Sequence, residues 1–186
     1  MKPNPTKRAA TKQKLMDAYI ALLKCDSDKP ITASSVIKQA QVNRSTFYEY
    51  FDNVEDLRHA VEDVLIENMA ETAKHVLETN NDADITDIIT NAYIQHGEMI
   101  GLFIGRQGSS YFATRAKEYF QPMLAQILGE KVSPQELPYV SEFMVSGLQS
   151  YYGLWFREKQ TFPLDKLVPL AKTLVFSCIE GVSNRK

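Results

Sequence analysis

The stretch ITASSVIKQAQVNRSTFYEYFDNVED, Ile31 to Asp56, with Leu57 closing it, constrains the fold more than any other part of the chain. Val36, Ile37 and Ala40 recur at helical spacing behind Thr32, whose hydroxyl can accept from the first turn of a helix. Ser35 stands where a Glu would complete a reciprocal capping box. Gln41-Val42-Asn43 then breaks the pattern, and Asn43 is suited to cap a second short helix over 44–50. Two short helices joined by so tight a turn make a helix-turn-helix, whose second helix enters a DNA major groove. The layout predicts double-stranded DNA as a partner.

A helix that meets base edges needs small polar groups at its entering end and apolar ones on its back. Asn43, Arg44, Ser45 and Thr46 meet the first requirement, and Phe47, facing Val36, Ala40 and Val42, meets the second. A guanidinium can chelate guanine and an amide can chelate adenine, each worth about 1–3 kcal/mol of base discrimination. Tyr48 falls outward, where its hydroxyl, like that of Thr46, can reach a phosphate. Thr32, Ser34 and Glu49 complete the set expected at the DNA. Tyr50 and Phe51 end the helix. Asn53 caps the next one, with Glu55 and Asp56 placed favourably in its first turn.

The formal net charge of −2 is misleading until it is divided. Residues 1–50 hold nine Lys/Arg against four acids, net +5, and the remainder holds twelve against nineteen, net −7. A basic head on an acidic body is what a chain needs when one end alone faces phosphates.

Apolar residues at helical spacing predict a first helix over 7–24 and a long fourth one from Asn53 to about Glu78. Further helices follow over 85–104, 109–128 with an interruption near Gln121-Pro122, 135–159, and 164–182. No segment alternates as a strand does, so the expected class is all-α. The expected division is a DNA-binding domain over 1–52 and a helical effector-binding and dimerisation domain over 53–186.

Nothing approaches the roughly 18 consecutive apolar residues of a membrane span, and the start of the chain is polar, unlike a signal peptide. Cys25 and Cys178 have no motif spacing and read as thiols of a reducing cytoplasm. His59, His75 and His96 are scattered, and there is no HExxH, Gly-rich phosphate loop or GxSxG elbow. The expectation is no catalytic site, no metal and no cofactor.

Val42 to Leu57, VNRSTFYEYFDNVEDL, resembles the signature of the TetR/AcrR family of one-component bacterial regulators, in which a Thr-Phe/Leu-Tyr-x-Tyr/His-Phe core precedes a capped Glu-Asp-Leu. The likeness spans roughly residues 8–57. It implies a three-helix DNA-binding head and a helical body that binds an effector and dimerises. It also implies that Thr46 and Tyr48 contact phosphates and that Asn43, Arg44 and Ser45 form the base-reading edge. The implied function is a repressor that binds a pseudo-palindromic operator as a homodimer and is released by a small molecule.

Two positions depart from the family. Gln41 stands where Gly is usual, and a left-handed turn residue costs Gln more than Gly. Val54 stands where Lys is common, which removes a phosphate contact. These keep a rival open: a helical ligand-binding or interaction protein whose head does not bind DNA specifically.

In the body, LFIGRQGSSYF, Leu102 to Phe112, with the helical EYFQPML after it, is similar to the C-terminal domain of one regulator subgroup. Tyr93, His96, Phe103, Arg106, Tyr119 and Met123 are the residues expected at an effector, since apolar linings with few polar groups suit small molecules. The last two helices carry wide apolar stripes that include Phe143, Gly147, Tyr151, Leu174 and Cys178. Paired across a two-fold axis they predict a four-helix dimer interface, with Gly147 and Gly153 allowing close approach.

Overall fold

The computed structural model describes residues 5–25, 29–80, 85–104, 109–129, 131–158 and 160–184. Among them are eight helices and no strand: α1 (Pro5–Lys24), α2 (Ala33–Ala40), α3 (Arg44–Tyr50), α4 (Val54–Thr79), α5 (Ile85–Ile104), α6 (Ser110–Leu128), α7 (Leu137–Arg157) and α8 (Leu164–Ser183). The class is all-α. The chain divides into two compact units, Met1–Val64 and Leu65–Lys186. The first takes in the opening turns of α4, where Leu57 and Val61 are buried. The expected boundary at 52/53 lies just before α4.

In the first unit α2 packs on α1 and α3 on α2. Leu15, Tyr19, Val36, Phe47, Phe51 and Leu57 supply its buried side chains. The capping box at α2 is complete with Ser in place of Glu. The Ser35 amide donates to Thr32 Oγ1 at 3.2 Å and the Thr32 amide to Ser35 Oγ at 3.0 Å. After α2, Gln41 takes the left-handed conformation, φ 49 and ψ 49, and its amide points back at the carbonyls of Ile37 and Lys38. The helix thus ends as a Gly would end it, and Gln carries the Cβ cost. At α4, Asn53 Oδ1 accepts from the amides of Glu55 (2.8 Å) and Asp56 (2.9 Å). Asn43 holds the N-cap position of α3 but makes no capping bond with its side chain, contrary to the sequence expectation.

Glu62 is fully buried in this unit. Its Oε1 accepts from Arg58 Nε at 3.0 Å, and its Oε2 has no hydrogen-bond partner. Burial opposes the charge on Arg58, yet the bond to Glu62 and the charges of Glu62 and Glu55 more than offset this and raise its pKa.

In the second unit α5 packs on α6, α7 and α8, and α6 on α7. Leu124, Leu128, Val132, Val140, Met144 and Val175 form one buried cluster, and Ala73, Val76 and Ile88 form another. Two glycines let α5 and α7 cross closely. A Cβ on Gly101 would lie 2.6 Å from the Phe156 ring, and one on Gly153 would lie 2.8 Å from Ile104 Cγ2. Gly153 therefore serves contact within the chain, whereas a Cβ on Gly147 would meet nothing within 4 Å. Ion pairs tie the helices at their edges: Lys172 with Asp87 at 2.6 Å and Lys117 with Glu142 at 2.7 Å.

One expectation fails in α6. The helix runs through Pro122 without the interruption predicted near Gln121-Pro122. Pro122 is on the exposed side, so the carbonyl that loses its amide partner, on exposed Glu118, can meet water instead.

Candidate nucleic-acid interface, cavity and groove

Helix α3 turns its back inward and its entering end outward. Phe47 is fully buried, while Asn43, Arg44, Ser45 and Glu49 are exposed, Thr46 is half-buried and Tyr48 is 45% exposed. The side chains of Asn43, Arg44 and Ser45 make no hydrogen bond to the protein among the described residues. Arg44 instead lies over the Tyr48 ring, 5.5 Å from its centroid, which parks the guanidinium beside the phenol. Phe47 meets Tyr48 edge-on at 5.2 Å, so the buried ring sets the direction of the exposed one. Thr32 and Ser34 are exposed at the start of α2, where the Thr32 hydroxyl is already engaged in the capping box. Two cations flank the end of α3, Arg8 over Tyr50 at 5.7 Å and Lys12 over Phe51 at 5.9 Å. The first unit thus presents donors and acceptors of both kinds on one short helix, with basic groups of α1 nearby. That is a surface able to hydrogen-bond base edges and phosphates.

The second unit encloses a cavity of about 80 Å³. It is lined by α4, α5, α6 and α7, through Met69, Ile88, Tyr93, Phe112, Gln149 and Tyr152 among others. Of the residues expected at an effector, Tyr93 lines it. His96 is half-buried and its Nε2 lies 2.9 Å from Thr72 Oγ1. Phe103 is buried and stacked on Phe112 at 5.8 Å. Met123 packs on the Ala73–Ile88 cluster, and Tyr119 is 49% exposed. Arg106 lies outside the described residues. Gln149 and Tyr152, on the helix read from sequence as a dimer stripe, face the cavity and were missed. Their spacing from Met144 and Leu148 on α7 is the signal that could have found them.

Among the described residues that line the cavity, none is acidic or basic. Tyr93 and Tyr152 stack with centroids 3.9 Å apart. Burial, aided by Tyr151 nearby, lifts the Tyr152 phenol to about 12, and burial pushes Tyr93 higher still, so both stay neutral.

A groove of about 470 Å³ runs between α7 and α8. Phe143, Gly147, Tyr151, Leu174 and Cys178, the residues read as a dimer surface, all line it. Met144, Ala171 and Val175 form its buried side, while Phe143 is 67% and Leu174 54% exposed. Tyr151 spans the two helices by donating to the Leu167 carbonyl at 2.9 Å. Among the described residues no cluster of His, Cys, Asp and Glu could hold a metal, and no helix is long and apolar enough to cross a membrane.

No family model and no curated protein matches the chain. Solved structures do match it over nearly its whole length. A TetR-family transcriptional regulator from Streptomyces coelicolor superposes with a TM-score of 0.70 at 19% identity, covering 92% of this chain and 99% of that one. The fold is that of the TetR-family regulators. A TetR transcriptional regulator from Streptococcus agalactiae gives 0.66 at 21% identity, covering 91% and 96%. The TetR-family repressor AlkX from Dietzia, implicated in biodegradation of n-alkanes, gives 0.59 at 17%, covering 92% and 96%. These TetR-family chains are transcriptional regulators by name, and none is named as an enzyme.

Proposed function

We propose that this chain is a TetR-family transcriptional regulator, a cytoplasmic homodimer that binds a pseudo-palindromic operator and blocks transcription until a small molecule enters its body. The observation that carries this reading is α3: a buried Phe47 holds Asn43, Arg44 and Ser45 exposed at the start of a helix, their side chains with no hydrogen bond to break among the described residues before they meet DNA. Thr46, Tyr48 and Glu49 on α3, and Thr32 and Ser34 on α2, complete the contact set. Gln41 takes the left-handed turn that Gly would supply, which supports the helix-turn-helix geometry in spite of that departure.

The exposed apolar groove between α7 and α8 supports dimerisation through Phe143, Gly147, Tyr151, Leu174 and Cys178. Two copies would build a four-helix interface. Two α3 helices then address half-sites about 34–36 Å apart, or multiples of that. The cavity supports an effector, which acts only by binding the DNA-free and DNA-bound states with different affinity. Repression is the reading implied by the family resemblance; the fold is shared with AlkX, named a repressor, and equally with DhaS, named an operon activator.

Selection from random duplex pools by gel shift tests the reading. The expected result is retention of a pseudo-palindrome with an affinity that falls steeply with salt. Retention of no sequence over another would leave the ligand-binding or interaction protein as the better account.

A further inference from the structure

Phe47 sets the outward direction of α3. A helix turns about 100° per residue, so Ser45 and Glu49 each lie about 200° of rotation from buried Phe47, within about 20° of the direction opposite it. They form the ridge that stands furthest from the buried side, with Arg44 and Tyr48 on one flank and Thr46 on the other. Ser45 is short, and Glu49 is the ridge residue with reach. The Glu49 side chain is exposed and makes no hydrogen bond or ion pair among the described residues. Arg44, the one cation of α3, lies over the Tyr48 ring instead of against Glu49. An acid on the crest of a helix that must approach phosphates weakens binding to every sequence unless it finds a donor there. Ionised, a carboxylate only accepts.

Each base shows a different edge in the major groove. Guanine offers N7 and O6 and thymine O4, all acceptors that repel a carboxylate. Adenine sets an acceptor, N7, beside its N6 amine, whereas cytosine shows its N4 amine alone. Cytosine is thus the base that an acceptor-only group can meet without opposing a second acceptor. Resting on the reading that α3 enters an operator, we infer that Glu49 is a specificity-determining residue that accepts from the N4 amine of a cytosine, once in each half-site. The same charge disfavours the other three bases at that position, so Glu49 selects partly by repulsion.

The test selects the full-length protein and its Glu49→Ala and Glu49→Gln variants against one random duplex pool, then compares duplexes by quantitative gel shift. Thermal melts establish that each variant folds. The parent should enrich a pseudo-palindrome with a C·G pair at one position of each half-site, cytosine exceeding the other bases there by about tenfold. Glu49→Ala should lose that preference at that position alone and hold the mismatched duplexes more tightly than the parent does. Glu49→Gln, whose amide can both donate to and accept from adenine, should hold the adenine duplex at least as tightly as the cytosine one. A residue that merely supported the helix would weaken all duplexes alike. That uniform loss would overturn the inference and leave the operator reading intact. So would a palindrome that Glu49→Ala leaves unaltered, an altered position that is an A·T pair, or a Glu49→Gln variant that keeps the parent's cytosine preference. A parent that enriches no sequence would overturn the operator reading, and this inference with it.

Discussion

Replacing Arg58 by Met should cost about 3 kcal/mol of stability, because it strands a carboxylate that has nowhere to turn. Glu62 is 0% exposed, its Oε2 is already without a partner, and among the described residues the Arg58 Nε bond at 3.0 Å is the side chain's one hydrogen bond. Losing one partner of a buried pair costs about 3–5 kcal/mol, and the 23% exposure of the Arg58 side chain puts this case at the lower end. Glu62→Met should cost less, about 1 kcal/mol, since Arg58 keeps Glu55 at 3.4 Å and can reach water. The double variant should come within about 1 kcal/mol of the parent, since apolar replacement of a whole buried pair is often neutral. The coupling is then about 2–3 kcal/mol, read from urea unfolding of the four proteins followed by circular dichroism. Strictly additive single costs, or an Arg58→Met variant as stable as the parent, would refute the reasoning.

Arg44→Ala should relax selectivity at one operator base pair by about 1–3 kcal/mol, whereas Tyr48→Phe should weaken all sequences alike; quantitative gel shifts separate the two. Burial raises the Tyr19 and Tyr152 phenols from 10.0 to about 12, so the folded state holds those protons more tightly than the unfolded one. That stability is intact below pH 10 and lost between 10 and 12, so phenolate absorbance should rise together with unfolding in an alkaline titration. Gly101→Ala should destabilise the chain by about 1–3 kcal/mol by forcing a Cβ onto the Phe156 ring, while Gly147→Ala should leave single-chain packing unaltered; thermal melts compare them. Leu174→Asp should yield folded monomers in sedimentation, and an intact dimer would move the interface off this groove.

The sequence was most legible where one residue decides one local structure. Thr32 and Asn53 mark helix starts through side-chain oxygens, and both caps form. Phe47 buried beside exposed Tyr48 follows from helical spacing alone. It was least legible where several helices must converge. The cavity draws Met69, Tyr93, Phe112 and Gln149 from four different helices, and no local pattern reports that meeting. His96 looked like a cavity group from its aromatic neighbours, but its ring turns to Thr72 on α4. Pro122 misled because its effect depends on which side of α6 faces water, a property of the packed helix and not of the dipeptide.

Gln41 shows how backbone geometry can govern a site that touches little. Its side chain is exposed, a setting in which most substitutions change stability little. Its left-handed backbone sorts substitutions by shape instead: Gly and Asn should be accepted, while Val and Ile, whose branched Cβ fits that region worst, should score like changes in the interior. A surface residue of this chain therefore carries the tolerance profile of a core one, and the reason lies wholly in one pair of dihedral angles.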